Sequence, residues 1–223
     1  MVELISELRA ERVRESLQRI RGELDAACDR AGRPRDAVEI LAATKYVAAE
    51  DMPVLAEAGI RLVGENRAQD LQEKVALCGS LFEWDFIGQL QSRRVRLIVP
   101  HVRLIHSVAS ESALRELERH RERARPGLRI LVEVNLAGEA GKAGIAPSDL
   151  DALIERSPLP VAGLMSMPPL STEAQDSRRW FAALRELAAE RQLEHLSMGT
   201  SQDYVVAAEE GATIVRIGTK LYH

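Results

Sequence analysis

The stretch Val38–Lys45 (VEILAATK) is a short apolar run that ends abruptly in a lysine. Its length and its branched side chains indicate a strand that is buried on both faces. The ammonium group at the far end would then lie at the rim of a sheet, where α/β folds bind their ligands. Lys45 is therefore the candidate reactive residue, and the alternative is a solvated charge that closes the strand.

A long amphipathic pattern precedes this strand. Apolar residues recur every three or four positions from Leu4 to about Ala31, and Arg and Glu fill the other face. This spacing predicts one helix. Gly32 and Pro34 predict its end, because glycine accepts the left-handed cap conformation and proline cannot continue the helix.

Beyond Lys45, apolar runs of strand type alternate with charged stretches of helical period. The predicted strands are Val38–Thr44, Leu62–Gly64, Trp84–Ile87, Leu104–Val108, Ile130–Asn135, Val161–Met165, Leu196–Met198 and Ile214–Ile217. The predicted helices between them are Ala49–Ala58, Ala68–Leu77, Ser92–Val99, Ser110–Arg123, Pro147–Arg156, Thr172–Arg191 and Gln202–Glu210.

This alternation predicts the fold class. Eight strands separated by helices indicate an α/β fold, a single (β/α)8 TIM-type barrel with an extra N-terminal helix inside residues 1–31. A doubly wound open sheet is the alternative, and it is disfavoured because no Gly-x-Gly-x-x-Gly follows the first strand. No linker rich in proline, glycine or serine divides the chain, so we expect one domain over residues 1–223.

The composition favours a globular protein that handles small molecules. Of 223 residues 46% are hydrophobic, which can supply a sizeable core. The formal net charge is -4 with both signs interleaved, a poor footprint for nucleic acid. Because the N-terminus lacks an apolar signal core and no run could cross a bilayer, we expect neither targeting nor membrane insertion. Cys28 and Cys78 lack metal-ligand or redox spacing, which is typical of a cytoplasmic protein.

In a barrel of this kind, the active site gathers at the carboxyl ends of the strands. The polar residues expected there are Lys45, Glu65, Asn66, Gln89, Gln91, His106, Ser107, Asn135, Ser166, Ser201, Arg216, Gly218 and Thr219. This set holds no carboxylate pair, metal cluster or Ser/His/Asp triad, and we expect no metal. Lys45 is its best candidate, because an amine whose pKa falls from about 10.4 attacks carbonyl groups.

Two further stretches, Leu196–Asp203 and Val215–Thr219, have the character of phosphate-binding turns. Gly199 would let the backbone approach an anion, and Ser201 could donate its hydroxyl and cap the next helix. The loops after strands 7 and 8 are a recurrent phosphate site in these barrels. Ordinary helix capping is the alternative interpretation of the same residues.

An amine opposite a phosphate site suits pyridoxal phosphate, which carries an aldehyde and a phosphate. Sugar-phosphate aldolases need the same two parts. Arg216 favours the first, because it would lie between the two ends of a bound pyridoxal ring, within reach of the ring nitrogen. An arginine cannot accept a proton, so it would keep that nitrogen unprotonated and weaken the ring as an electron sink.

Several segments in chain order carry a family resemblance. They are Leu41–Lys45, Gly64–Gln69, Trp84–Ser92, Ile105–Val108, Lys142–Ile145, Gly163–Met165, Leu196–Gly199 with Ser201, and Val215–Thr219. The chain resembles the pyridoxal phosphate homeostasis proteins, the YggS/PROSC family. This resemblance implies a barrel of alanine-racemase type that holds pyridoxal 5'-phosphate as a Schiff base on Lys45. The other cofactor-binding residues that it implies are Asn66 beside the ring, Met165, Arg216 near the pyridine nitrogen, and Ser201, Gly218 and Thr219 around the phosphate.

The resemblance implies a carrier or regulator of the cofactor without established catalytic activity. We therefore expect a monomeric, non-catalytic protein whose partners are pyridoxal phosphate and apo forms of the enzymes that use it. The alternatives are an amino-acid racemase or decarboxylase, a Schiff-base aldolase and a barrel with an inert lysine. One departure concerns Lys45–Ala48, where the family commonly has Lys-Thr-Lys-Pro, so a second lysine is missing. His106 is interpreted as a core histidine bonded to the backbone, with an acid–base residue as the alternative. Lys142 is interpreted as a solvated loop charge, and the resemblance adds the alternative of a second contact for the cofactor or a recipient.

Overall fold

The computed structural model describes Ile5 and residues 7–222. Eight parallel strands form a closed barrel in chain order, and the ring closes because the first strand pairs with both the second and the eighth. The strands are β1 Glu39–Ala43, β2 Leu62–Glu65, β3 Glu83–Phe86, β4 Leu104–Val108, β5 Arg129–Glu133, β6 Val161–Met165, β7 His195–Thr200 and β8 Ile214–Ile217. The predicted (β/α)8 barrel is confirmed, with strand bounds that differ by up to two residues.

Helices surround the strands. They are α1 Ala10–Arg30, α2 Met52–Glu57, α3 Ala68–Cys78, α4 Val95–Ile98, α5 Glu111–Arg119, α6 Leu150–Glu155, α7 Arg178–Glu190, α8 Tyr204–Glu209 and α9 Thr219–Tyr222. Single turns of 3-10 helix precede α2, α4, α6 and α7, so the α-helical parts are shorter than predicted. Within the described ranges, none of these helices is both long and apolar enough to cross a bilayer.

The N-terminal helix is present, but its predicted start at Leu4 is wrong. Leu4 itself lies outside the described residues, and the helix begins at Ala10. Its end is as predicted, because Gly32 adopts a φ of 66° after Arg30. The buried face of α1, which includes Val13, Ile20 and Leu24, packs mainly against α8, α9 and α2. This helix therefore covers the flank of the barrel where its first and last units meet.

Two apolar layers fill the space around the strands. The larger layer lies between the strands and the helices and contains Trp84 and Phe86. A smaller cluster consists of Leu41, Leu62, Leu104, Leu131, Ala162, Met165 and Ile214. Its members come from β1, β2, β4, β5, β6 and β8, which identifies it as the packed interior of the barrel. This interior closes the barrel, so a ligand site can open at an end of the strands but cannot run through the middle.

A short helix after the last strand was not predicted. α9 follows β8 directly, and its Tyr222 is buried and donates a hydrogen bond from its hydroxyl to Ala43 O at 3.1 Å. The end of the chain thus holds the end of β1, the strand that leads to Lys45.

Candidate active site

A cavity of about 290 Å³ opens at the carboxyl ends of the strands. It is lined by Ala43, Lys45, Tyr46, Asn66, Ile87, Met167, Thr200, Ser201, Gln202, Arg216, Gly218 and Thr219. A larger cavity of about 590 Å³ lies at the opposite end, between α1 and the start of β1 and β2. We place the candidate site in the smaller cavity, because polar groups from several strand ends converge there.

The structure brings six of the seven predicted cofactor-binding residues to this cavity. The exception is Met165, whose side chain is 3% exposed and belongs to the interior cluster below. Met167 lines the cavity instead, because it lies two residues beyond the end of β6 and so reaches the rim. Sequence analysis also missed Tyr46, which lines the same cavity.

Lys45 lies on the turn that follows β1, and its side chain is exposed. Its ammonium group lies 4.6 Å from the centre of the Tyr46 ring, an attractive cation–π geometry. The backbone on both sides of the lysine is fixed. Thr44 O accepts a hydrogen bond from Val47 N at 2.9 Å, and Tyr46 O accepts one from Ile5 N at 2.8 Å. The Lys45 amine therefore projects from a loop whose backbone is fixed by hydrogen bonds.

A buried ion pair fastens the ends of β1 and β2 to α3. The Lys74 ammonium donates to Thr44 O at 2.8 Å and to Glu65 Oε1 at 2.5 Å. The same carboxylate accepts the Thr44 hydroxyl at 2.5 Å and the Asn66 N–H at 3.2 Å. The side chains of Glu65 and Lys74 are 0% and 5% exposed. The Glu65 carboxylate thus holds Asn66 directly, and it holds Thr44, the residue that precedes Lys45.

Asn66 offers a free polar atom in the cavity wall. Its Oδ1 is buried and has no hydrogen-bond partner among the residues that the structure describes. The backbone of Asn66 passes so close to Gly88 that a Cβ on this glycine would lie 2.0 Å from Asn66 O. A side chain at position 88 would therefore displace the Asn66 loop. A buried acceptor without a partner costs about 1–3 kcal/mol, and a ligand that donates to it would recover that energy.

The loops after β7 and β8 are joined by Ser201, whose hydroxyl accepts a hydrogen bond from Gly218 N at 3.2 Å. The predicted helix cap is wrong, because no side chain caps α8 and its N-cap residue is Asp203. Asp203 instead holds the turn by accepting from Thr200 N at 2.7 Å. Gly199 also lets β7 pack closely on α8, since a Cβ there would lie 2.5 Å from Ala207 Cβ, and its expected approach to an anion stays a prediction.

Arg216 is almost fully buried, with 7% of its surface exposed. Its Nη1 donates to Ser197 O at 2.7 Å and to Ser197 Oγ at 2.6 Å, and its Nη2 donates to Ser166 O at 3.1 Å. Burial lowers the pKa of Arg216 to about 10, although the carboxylates of Asp203 and Glu133 act in the opposite direction. The side chain is therefore a fixed cation at neutral pH.

Two other residues, His106 and Lys142, were interpreted from the sequence and can now be placed. His106 is a core histidine as predicted, but its partners are the side chains of Ser197 at 2.8 Å and Asp85 at 3.0 Å, not the backbone. Lys142 is only partly exposed and pairs with Glu139 at 2.5 Å in its own loop. Within Ile5 and residues 7–222, no group of three or more His, Cys, Asp or Glu side chains could hold a metal ion.

Comparison with known proteins places this geometry in a family. The family model described as alanine racemase, N-terminal domain, matches residues 16–223. A pyridoxal phosphate homeostasis protein of Aquifex aeolicus is 40% identical over 219 residues, which cover 93% of this chain and 96% of that protein. The chain belongs to the pyridoxal phosphate homeostasis protein family.

Solved structures agree with this family. PipY of Synechococcus elongatus without pyridoxal phosphate is 33% identical, with a TM-score of 0.82 over 95% of this chain and 100% of that one. PipY with pyridoxal phosphate bound is 31% identical, with a TM-score of 0.78 and the same coverage. The resemblance inferred from the sequence is confirmed. The second lysine of the usual family segment falls on Val47, which is 2% exposed and belongs to the apolar layer.

We predict that Lys74→Met destabilises the fold by about 3–5 kcal/mol, because it leaves the Glu65 carboxylate buried without its cation. Urea denaturation measures this change in the free energy of unfolding. The double variant Lys74→Met with Glu65→Gln is the control, since it removes both charges and keeps an acceptor for Thr44. It should recover most of the loss. A single variant within about 0.5 kcal/mol of the unchanged protein would contradict the role given to this pair.

Proposed function

We propose that the protein binds pyridoxal 5'-phosphate in the cavity at the carboxyl ends of the strands and acts in cofactor homeostasis as a carrier or regulator. The observation that carries this proposal is that Lys45, Arg216 and the Ser201–Gly218 loop pair line one cavity of about 290 Å³. Relatives named for pyridoxal phosphate homeostasis, and PipY with the cofactor bound, support it. The functional unit is one barrel domain over residues 1–223.

The residues present fit the chemistry of this cofactor. The exposed amine of Lys45 suits an aldehyde, and Ser201, Gly218 and Thr219 suit a phosphate. The buried Asn66 Oδ1, which lacks a partner within the described part of the chain, suits a ring substituent that donates a hydrogen bond. Arg216 donates hydrogen bonds but cannot accept a proton, which suits an unprotonated ring nitrogen.

When bound, the cofactor supplies an electrophilic aldehyde and an electron sink. Lys45 would hold the aldehyde end, because its exposed amine can attack a carbonyl carbon. Arg216 would donate to the ring nitrogen without protonating it, which would make the sink weaker. Ser201 and Gly218, already joined by a hydrogen bond of 3.2 Å, would hold the phosphate end. These residues would hold the cofactor, but they would not provide the groups needed to break bonds of an amino acid.

The second candidate function is a racemase or decarboxylase, and the position of Tyr46 favours it. Among the described residues, this is the tyrosine that lines the cavity, beside the Lys45 amine. Tyr204 and Tyr222 are buried elsewhere at 1% and 6% exposure. A two-base mechanism needs a base on each face of the substrate. Because Tyr46 and Lys45 are neighbours on one turn, we prefer the non-catalytic function.

We further propose that the protein works as a monomer in the cytoplasm, without a nucleic-acid or membrane partner. Its partners are pyridoxal phosphate and apo forms of the enzymes that use this cofactor. Exposure of the Lys45 side chain supports this proposal, because a recipient or a small amine can approach the covalent link from solvent.

We predict that Lys45→Ala abolishes the visible absorption that the protein gains with pyridoxal phosphate, because the variant lacks the attaching amine. Absorption spectra and mass spectrometry after borohydride reduction measure this. Lys142→Ala is the matched control, since its amine lies in another loop and pairs with Glu139, and it should keep both the band and the reduced adduct. An adduct on a different lysine in the Lys45→Ala protein would show that the attachment site is wrong.

We predict that Ser201→Ala weakens pyridoxal phosphate binding roughly tenfold, the effect of losing one charge-assisted hydrogen bond. Pyridoxal lacks the phosphate, so its affinity should stay unchanged. Equilibrium dialysis of both compounds separates these effects, and the exposed Ser148→Ala serves as the control. Equal losses for the two compounds would mean that Ser201 does not act on the phosphate.

We predict that the protein with bound cofactor does not exchange the α-proton of common L- or D-amino acids at an enzymatic rate, because Arg216 weakens the electron sink. Nuclear magnetic resonance in deuterated water follows this exchange. Rapid exchange that is lost in both Lys45→Ala and Tyr46→Phe would replace the carrier with the racemase or decarboxylase.

A further inference from the structure

A chain of buried polar side chains crosses the barrel interior below the cavity, and the proposed function makes no use of it. Asp85 on β3, His106 on β4 and Ser197 on β7 are each 0% exposed. They connect in this order to Arg216 on β8. Polar groups in a packed interior destabilise the fold unless every one is hydrogen bonded. The sequence of hydrogen bonds between these side chains therefore follows from which group can donate and which can accept.

The hydrogen bonds of this chain run in one direction. Arg216 can only donate, and its Nη1 donates to Ser197 Oγ at 2.6 Å. The Ser197 hydroxyl then directs its own hydrogen to His106 Nδ1 at 2.8 Å. Because the Asp85 carboxylate can only accept, the proton of the neutral ring is on Nε2, which donates to Asp85 Oδ2 at 3.0 Å and leaves Nδ1 to accept from Ser197. The Asp85 carboxylate thus selects the histidine tautomer, and Arg216 and Ser197 complete the chain on the other side of the ring.

A protonated His106 does not fit this arrangement. If Nδ1 carried a proton, the Ser197 oxygen could still accept from it, but the hydrogen of the Ser197 hydroxyl would have no acceptor among the described residues. Burial and the cations of Arg216 and Arg103 lower the pKa of His106, and only the Asp85 carboxylate acts in the opposite direction. The ring therefore stays neutral at pH 7.

The far end of the chain is anchored at the opposite rim of the barrel. Arg103 Nε donates to Asp85 Oδ1 at 2.9 Å, and its Nη1 and Nη2 donate to the Glu39 carboxylate at 3.1 and 2.7 Å. The chain of contacts thus runs from the amino end of β1 to the floor of the cavity. At that floor, the Arg216 Nε–H makes no hydrogen bond within the part of the molecule that the structure describes, and it is available to a ligand.

We propose that Asp85, His106 and Ser197 are positioning residues that orient the Arg216 guanidinium toward the cavity, so that the protein selects ligands by the ring atom that meets Arg216. A six-membered ring with an accepting nitrogen is the ligand class that this geometry prefers over the same ring with a C–H group. The inference rests on the proposed function for the identity of the ligand, whereas the order of the hydrogen bonds is independent of it.

The first experiment tests the order of the hydrogen bonds in the protein without ligand. Nitrogen-15 magnetic resonance at pH 6 should show His106 as a neutral ring with its proton on Nε2. The His106→Gln variant assigns this signal by its disappearance. A protonated ring, or a proton on Nδ1, would overturn the proposal.

The second experiment compares binding of pyridoxal phosphate with an analogue that has C–H in place of the ring nitrogen. We expect the preference for pyridoxal phosphate to fall about tenfold in His106→Leu, which breaks the chain. The preference should survive in His106→Gln, because the glutamine amide provides both an acceptor and a donor. A purely structural role would weaken both ligands equally, so an unchanged preference in His106→Leu would overturn the proposal.

Ser197→Ala is the second variant, in case His106→Leu fails to fold. It keeps the bond from Arg216 to the carbonyl of residue 197 and should lower the preference in the same direction. An unchanged preference there would count equally against the proposal. If the unchanged protein bound neither ligand, the proposed function would fail, and the tautomer measurement would still decide the order of the chain.

Discussion

The guanidinium of Arg216 inside the barrel imposes most of the arrangement around the site. A buried charge is tolerated only where it is hydrogen bonded on several sides. The required acceptors come from Ser166 on the loop after β6 and from Ser197 on β7, through two carbonyls and one hydroxyl. Those bonds fix the ends of two neighbouring strands relative to β8, so the geometry of the cavity floor follows from the placement of a single cation.

A second buried charge organises the opposite wall. The Glu65 carboxylate accepts from Thr44, Lys74 and Asn66, and so it holds the ends of β1 and β2 together. The two clusters are separate, and each one orients a different end of the proposed cofactor. Preorganisation of this kind lowers the entropy lost on binding, because the groups that contact the ligand are already ordered.

The fold and half of the site chemistry could be predicted because they depend on local sequence. Apolar runs of strand length and helical periodicity between them are sufficient for the barrel, and Lys45 was found because it ends such a run. Lys74, Asp85 and Ser197 could not be found in this way. Their partners lie at least 9, 18 and 19 residues away along the chain, and each looks like an ordinary polar residue on a helix or strand. Only the closure of the barrel reveals those contacts.

The two clusters also bear on the contrast between holding a cofactor and using it. A catalytic site needs groups that change their protonation state during the reaction. The interior groups here resist a change of protonation state. Arg216 can only donate, and His106 is held in one neutral form by its two partners. The proposed attachment residue, Lys45, is on an exposed turn instead of in this interior. A rigid floor beneath an accessible amine would favour reversible attachment and release over turnover, which is the physical argument for the proposed carrier.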